Sequence, residues 1–287
     1  MQGQYVFQDK KERERLAVQN RLLSSLEAPA LEKIFFKKNN LCVLDIGCND
    51  GNKTVSRFSS PSVSKVIGLE YNAELAEAAQ EKYGDGKYAF YCADVENAAF
   101  SEQLSALAAE NGAADFDLIY LSFVLMHMRD PQRLLKTLRR FLKPDGLLFI
   151  VETNDGASSL MPDKNGLLAD FLNILRQDMY AGNRNVGEKL PELLTACGYG
   201  NITVWSEKIS ASEGEVELKK DIFKTFFSYL PDDVAILTSE YPKNAEYRAW
   251  SAWLDNSFAA LKQLVESESS SISMGMKILS CAVNNTD

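Results

Sequence analysis

The sequence predicts an α/β fold: a doubly wound, mostly parallel sheet of seven strands, with helices ahead of it and a helical insert before its last strand. Three observations carry this. Short runs rich in Val, Ile and Leu alternate with helical patterns between residues 41 and 152. Those runs place apolar residues on both faces, as strands covered on both sides by crossover helices do. The first run stops in "VLDIGCNDGN", residues 43 to 52, an aspartate followed by two glycines four residues apart. A strand–helix turn at that place faces the crevice where open α/β sheets bind their ligands.

Taken in order, residues 10 to 36 carry Leu16, Leu22, Leu23, Leu26, Ala30, Leu31, Ile34 and Phe35 at helical spacing. Pro29 divides the pattern, which predicts two helices. Five strands follow: "LCVLDI", "KVIGLEY", "YAFYCADV", "FDLIYLSFV" and "GLLFIVET". Helices are expected between them at 53 to 58, 73 to 83, 100 to 110 and 131 to 142. The last is the best marked, with Asp130 as N-cap, Pro131 at the first helical position, and "KPDG" to end it. Beyond residue 152 the spacing predicts helices at 166 to 180 and 187 to 197, a strand in "NITVWSEKIS", a long helical stretch over 214 to 267, and a closing strand in "SISMGMKILSCAV". The expected division is therefore 1–38 as helices over the ligand site, 39–212 with 268–287 as the core, and 213–267 as the insert. Nine aromatics in that insert suit a cap over a small organic ligand, a private mini-core or a homodimer interface.

Composition narrows the partners. The 287 residues are 46% hydrophobic and the net charge is −9, a sign that repels phosphate backbones and anionic lipid. Nucleic acid and membrane are not expected. The N-terminus has no apolar h-region and no run reaches membrane-spanning length, so the expectation is a cytoplasmic protein. Five scattered cysteines without a C-x-x-C argue for reduced thiols, and a single histidine, His127, argues against a zinc cluster; no metal is expected.

The glycine turn could serve a dinucleotide, but G-x-G-x-x-G begun at Gly47 needs glycine where Asn49 and Asn52 stand. The pattern is Asp-x-Gly-x-x-x-Gly over Asp45, Gly47 and Gly51, with Glu70 ending the second strand and Asp94 ending the third. This ordered set resembles the class I S-adenosylmethionine-dependent methyltransferases, a Rossmann-like family, over roughly residues 40 to 152. The resemblance implies that the Asp45–Gly51 turn, Asn49 included, lies along the methionine part of the cofactor. It implies that Glu70, beside Tyr71, holds the ribose hydroxyls and that Asp94 with Val95 meets the adenine. Physical chemistry agrees: the cofactor is a sulfonium with an ammonium and a diol but no phosphate, so carboxylates are an apt lining. Asn49 departs from the commoner glycine, and asparagine tolerates the left-handed region better than most residues.

"DFDLIYLSFVLMHMRDP" resembles the family's fourth-strand motif, which implies that Ser122 and Phe123 pass beneath the cofactor. His127 follows at the crevice mouth, where an imidazole of ordinary pKa could take a proton from an acceptor, or could simply anchor its loop. "YVFQDKKERERLAVQNRLL" looks like the N-terminal helices of bacterial relatives that fold over the cofactor. Tyr5 and Gln19 are its candidate contacts, and a solvated amphipathic helix is the plainer alternative. Arg184 in "AGNRNVGEKL" either faces the active site or forms a surface ion pair. The expectation is methyl transfer to an O, N or C nucleophile of a small molecule. A protein or RNA methyltransferase, a non-catalytic adenosylmethionine-binding module and, more remotely, an NAD(P)-dependent reductase are the competing readings.

Overall fold

The computed structural model describes residues 10 to 283. Its centre is a sheet in the order β3-β2-β1-β4-β5-β8, built from β1 (Leu41–Ile46), β2 (Val63–Glu70), β3 (Tyr88–Cys92), β4 (Phe116–Ser122), β5 (Leu142–Thr153) and β8 (Ser271–Val283). The first five are parallel, and β8 runs antiparallel to β5. The seventh expected strand, β7 (Tyr199–Ala211), pairs with the other edge of β8. A three-residue strand that the sequence did not announce, β6 (Ser159–Met161), also pairs with β8 and makes the sheet eight-stranded. Order reverses between β1 and β4, so the crevice at the carboxyl ends of those two strands is the switch point where ligands bind.

Helices cover both faces. They are α2 (Asn52–Arg57), α3 (Ala73–Tyr83), α4 (Phe100–Glu110), α5 (Pro131–Arg139), α6 (Leu167–Leu175) and α7 (Val186–Ala196). Strand alternation splits the core in two: Leu118 and Tyr120 join Phe58 and Phe149 on one face, while Ile119 and Leu121 join Leu134 and Leu190 on the other. Several boundaries differ from expectation, among them that of α6, which ends at Leu175 rather than at 180. α5 stops at Arg139 because Phe141 and Leu142 leave the helical face to join the sheet, where the Phe116 N–H donates to the Phe141 carbonyl. The N-terminal segment is one helix, α1 (Lys10–Lys37), with Pro29 inside it. Pro29 lies on the exposed side, while Leu22, Leu23, Ala30 and Leu31 are buried on the core side, so packing carries the helix through the missing hydrogen bond.

The insert is four helices rather than one stretch: α8 (Val216–Phe226), α9 (Leu230–Glu240), α10 (Ala245–Trp253) and α11 (Ala259–Val265), with a π-turn joining the last two. It has no private core. Phe227 stacks on Phe171 of α6 with ring centroids 4.4 Å apart, and Phe223 stacks on Phe227 at 5.1 Å, so the aromatic row continues the core of one sheet face. Ion pairs Arg21–Asp221 and Lys224–Glu14 tie α8 to α1 at the surface. Among the described residues no helix is long and apolar enough to cross a membrane.

Candidate active site

The turn after β1 is held in left-handed backbone at three places: Gly47 (φ 75°), Asn49 (φ 51°) and Gly51 (φ 73°). A Cβ on Gly47 would come within 2.9 Å of Val124 Cγ2, and one on Gly51 within 3.0 Å of the Phe90 ring. Both glycines are thus required by dihedral and by space. Asn49 manages without glycine because its own Oδ1 accepts the Asp50 N–H at 2.8 Å, the local bond that makes asparagine tolerable there.

Glu70 ends β2 directly beside this turn. Its Oε2 accepts the Asn49 N–H at 2.9 Å and its Oε1 accepts the Asn72 N–H at 3.0 Å, so one carboxylate pins the glycine turn and starts α3. Burial raises its pKa, and the backbone N–H bonds oppose that shift. Its remaining lone-pair capacity can accept from a ligand hydroxyl. Tyr71 is exposed next to it. Asp94 accepts the Glu96 N–H at 2.9 Å, with Asp94 and Val95 half-buried at the end of β3. Phe123 follows Ser122 at the end of β4 with φ 57°, a conformation costly for a bulky residue and of the kind that collects at functional sites.

Asp45, at the end of β1, is turned inward. It is 3% exposed, its Oδ2 accepts the Thr54 hydroxyl at 2.6 Å, and burial pushes its pKa up to about 7. It braces α2 against β1 from inside. Beyond it lies a cluster that sequence reasoning missed. Glu27 of α1, fully buried, accepts from Arg57 Nε at 2.7 Å and from the Tyr120 hydroxyl at 2.6 Å, and lies 3.3 Å from Lys53 Nζ. Nothing in the periodicity of α1 marked Glu27, since a lone acid on an apolar stripe reads as a register slip.

A second cluster sits over the carboxyl ends of β4 and β5. Arg184 is buried, not at the surface: its Nε and Nη2 fork onto Asp155 at 2.6 and 3.0 Å, and its Nη1 donates to the Tyr229 hydroxyl of the insert at 3.1 Å. Arg15 of α1 lies over the same Tyr229 ring, 5.3 Å from its centroid, and also donates to Gln19 Oε1 at 3.1 Å. Gln19 is therefore inside, next to this cluster. His127 is in a helical turn after β4, packed against Gly182. Burial, with the nearby Arg184 and Arg15 charges, pushes its pKa down to about 4, well below the ordinary value assumed for a general base. Behind it, Glu152 accepts the Leu125 N–H at 2.7 Å, and burial pushes its pKa up to about 8. Tyr5 lies outside the described residues. Asp155, Arg15 and Glu152 also escaped the sequence reading, and Tyr229, expected only as one of the insert's aromatics, meets Arg184 because the fold brings separated segments together.

The model of a methyltransferase domain family matches residues 12–185, more than half of the chain. The chain belongs to this methyltransferase family. The demethylmenaquinone methyltransferase of Lactobacillus johnsonii is 24% identical over 220 residues, 70% of this chain and 86% of that protein. The ubiquinone biosynthesis O-methyltransferase of Caulobacter vibrioides is 30% identical over 129 residues, 44% of this chain and 46% of that protein. A solved structure from Bacillus halodurans, assigned as a methyltransferase, superposes with a TM-score of 0.51 at 18% identity, covering 89% of this chain and 99% of the other. The enzyme is an S-adenosylmethionine-dependent methyltransferase, and its residues fit that cofactor. The half-buried carboxylates at the ends of β2 and β3 suit a diol and an amine.

Proposed function

We propose that this methyltransferase acts on a small-molecule acceptor, held between the carboxyl edge of the sheet and a roof made by α1, α8 and α9. The observation that carries the reading is the Arg184–Tyr229 contact, by which the insert reaches the same cluster as His127, with Arg15 of α1 closing the other side. A roof of this kind suits a compact acceptor, whereas a protein or RNA substrate needs an open face.

In this reading the turn from Gly47 to Gly51 lies along the cofactor's amino-acid end, Glu70 holds its ribose, and Asp94 and Val95 border its base. The cofactor supplies an electrophilic methyl group. The chain aligns the acceptor, excludes water and keeps local charge fixed, which is sufficient when the acceptor is already nucleophilic. With its pKa lowered to about 4, His127 stays neutral, a form that can accept a hydrogen bond from an acceptor hydroxyl but is a weak base. Relatives named for menaquinone and ubiquinone methylation make a hydroxylated aromatic ring the first acceptor class to try. The test is transfer of labelled methyl to a panel of phenols, quinols and amines, beside total protein and RNA. Label in a low-molecular-weight product is expected; label confined to macromolecules overturns the reading.

A further inference from the structure

Lys53 is a cation placed in the switch-point gap itself. From the first turn of α2 its side chain crosses from the β1 side to the end of β4, where Nζ bonds the Ser122 hydroxyl. It lies over the rings of Tyr120 and Phe123, 5.2 and 5.9 Å from their centroids. Its one ion-pair partner among the described residues, Glu27 at 3.3 Å, is held closer by Arg57 at 2.7 Å and by the Tyr120 hydroxyl at 2.6 Å. One carboxylate therefore serves two cations. The next nearest acid, Asp45, is bonded to Thr54. An ammonium has three donors, and Ser122 and Glu27 account for two. The third has no acceptor among the described residues. A buried positive charge left over in this way is costly unless a ligand answers it.

We infer that Lys53 and Ser122 form the subsite for the α-carboxylate of the cofactor's amino-acid end. The argument rests on the proposed cofactor site and on charge. S-adenosylmethionine carries one anionic group, that carboxylate, while its sulfonium and ammonium are repelled by a lysine. A cation in the gap between β1 and β4, next to the glycine turn, therefore fixes which end of the cofactor lies there. The two ring faces below keep the ammonium desolvated, so the pair forms in a medium where it is stronger than in water. Burial lowers the lysine pKa, and an arriving carboxylate restores the charged form.

Calorimetry without turnover tests this. Wild type and Lys53→Met are titrated with S-adenosylhomocysteine and with its decarboxylated counterpart. Wild type is expected to prefer the carboxylate ligand by about 10- to 100-fold, and Lys53→Met to lose that preference while holding the decarboxylated ligand within threefold. Lys53→Gln, which keeps a donor toward Ser122, is expected to behave like the methionine variant. Equal wild-type affinity for the two ligands overturns the inference with no variant needed, and so does a variant that keeps the preference. No binding of either ligand by wild type removes the cofactor site itself, a distinct failure.

Discussion

The Arg184 guanidinium donates to the Tyr229 hydroxyl across 3.1 Å, joining the segment after β6 to the helical insert. The same guanidinium is already forked onto Asp155, so it stands fixed before Tyr229 arrives. The tyrosine thus docks the roof on a rigid post.

Tyr229→Phe removes that hydroxyl and little else. It is expected to weaken roof closure by about 1 to 2 kcal/mol, roughly five- to thirtyfold in acceptor KM. Affinity for S-adenosylhomocysteine should stay within twofold, because the contact lies on the acceptor side. A change confined to cofactor affinity would move the insert out of the acceptor site.

Much of the core was readable because its signals are local. The β1 run, the Asp130 and Pro131 start of α5 and the acids ending β2 and β3 each depend on a few neighbouring residues. What escaped depends on distant ones. Pro29 stays helical because Leu23 and Leu31 pack on the core, and no window of ten residues holds that information. Asp45 satisfied the motif yet turned inward to Thr54, since a pattern of residue types does not specify where a side chain points. The insert looked separable until Phe171 supplied a partner ring to Phe227 from another helix.

Glu70→Ala removes the acceptor of two backbone N–H groups along with the proposed ribose contact. Its affinity for S-adenosylhomocysteine should fall by about 2 to 4 kcal/mol, or roughly 30- to 1,000-fold. Glu70→Gln keeps one good acceptor and should lie between the two. An alanine variant binding within threefold of wild type would remove Glu70 from the site.

Gly47→Ala meets two penalties: a left-handed φ of 75° and a Cβ 2.9 Å from Val124 Cγ2. The dihedral alone costs about 1 to 2 kcal/mol. Adding Val124→Ala relieves the contact but not the dihedral, so the double variant should recover only the part of the loss due to crowding. Denaturant unfolding measures both steps. Full recovery would mean that the turn tolerates a side chain and that space alone selected glycine.

Glu152 gives the pH prediction. Its carboxyl is buried under the loop of Leu125 and its pKa is pushed up to about 8 from 4.5 by that burial. Between those two values the unfolded chain has released the proton and the folded chain still holds it. Stability from this group is therefore complete below pH 4.5 and lost as pH rises toward 8, at no more than about 1.4 kcal/mol per pH unit. Asp45 acts in the same sense up to about pH 7. His127 opposes both: with its pKa lowered to about 4, the unfolded state binds the extra proton between pH 4 and 6.5, and folding gains as pH rises through that window. Lys53, also lowered by burial, opposes at the alkaline end. The total is a compromise, so the informative quantity is a difference. Wild type should lose stability relative to Glu152→Gln steadily from pH 5 to 8, because glutamine carries no proton to release. Urea unfolding of both proteins across that range gives the slope; parallel curves would mean that Glu152 ionises in the fold as readily as in water, and that the loop holding His127 rests on a carboxylate.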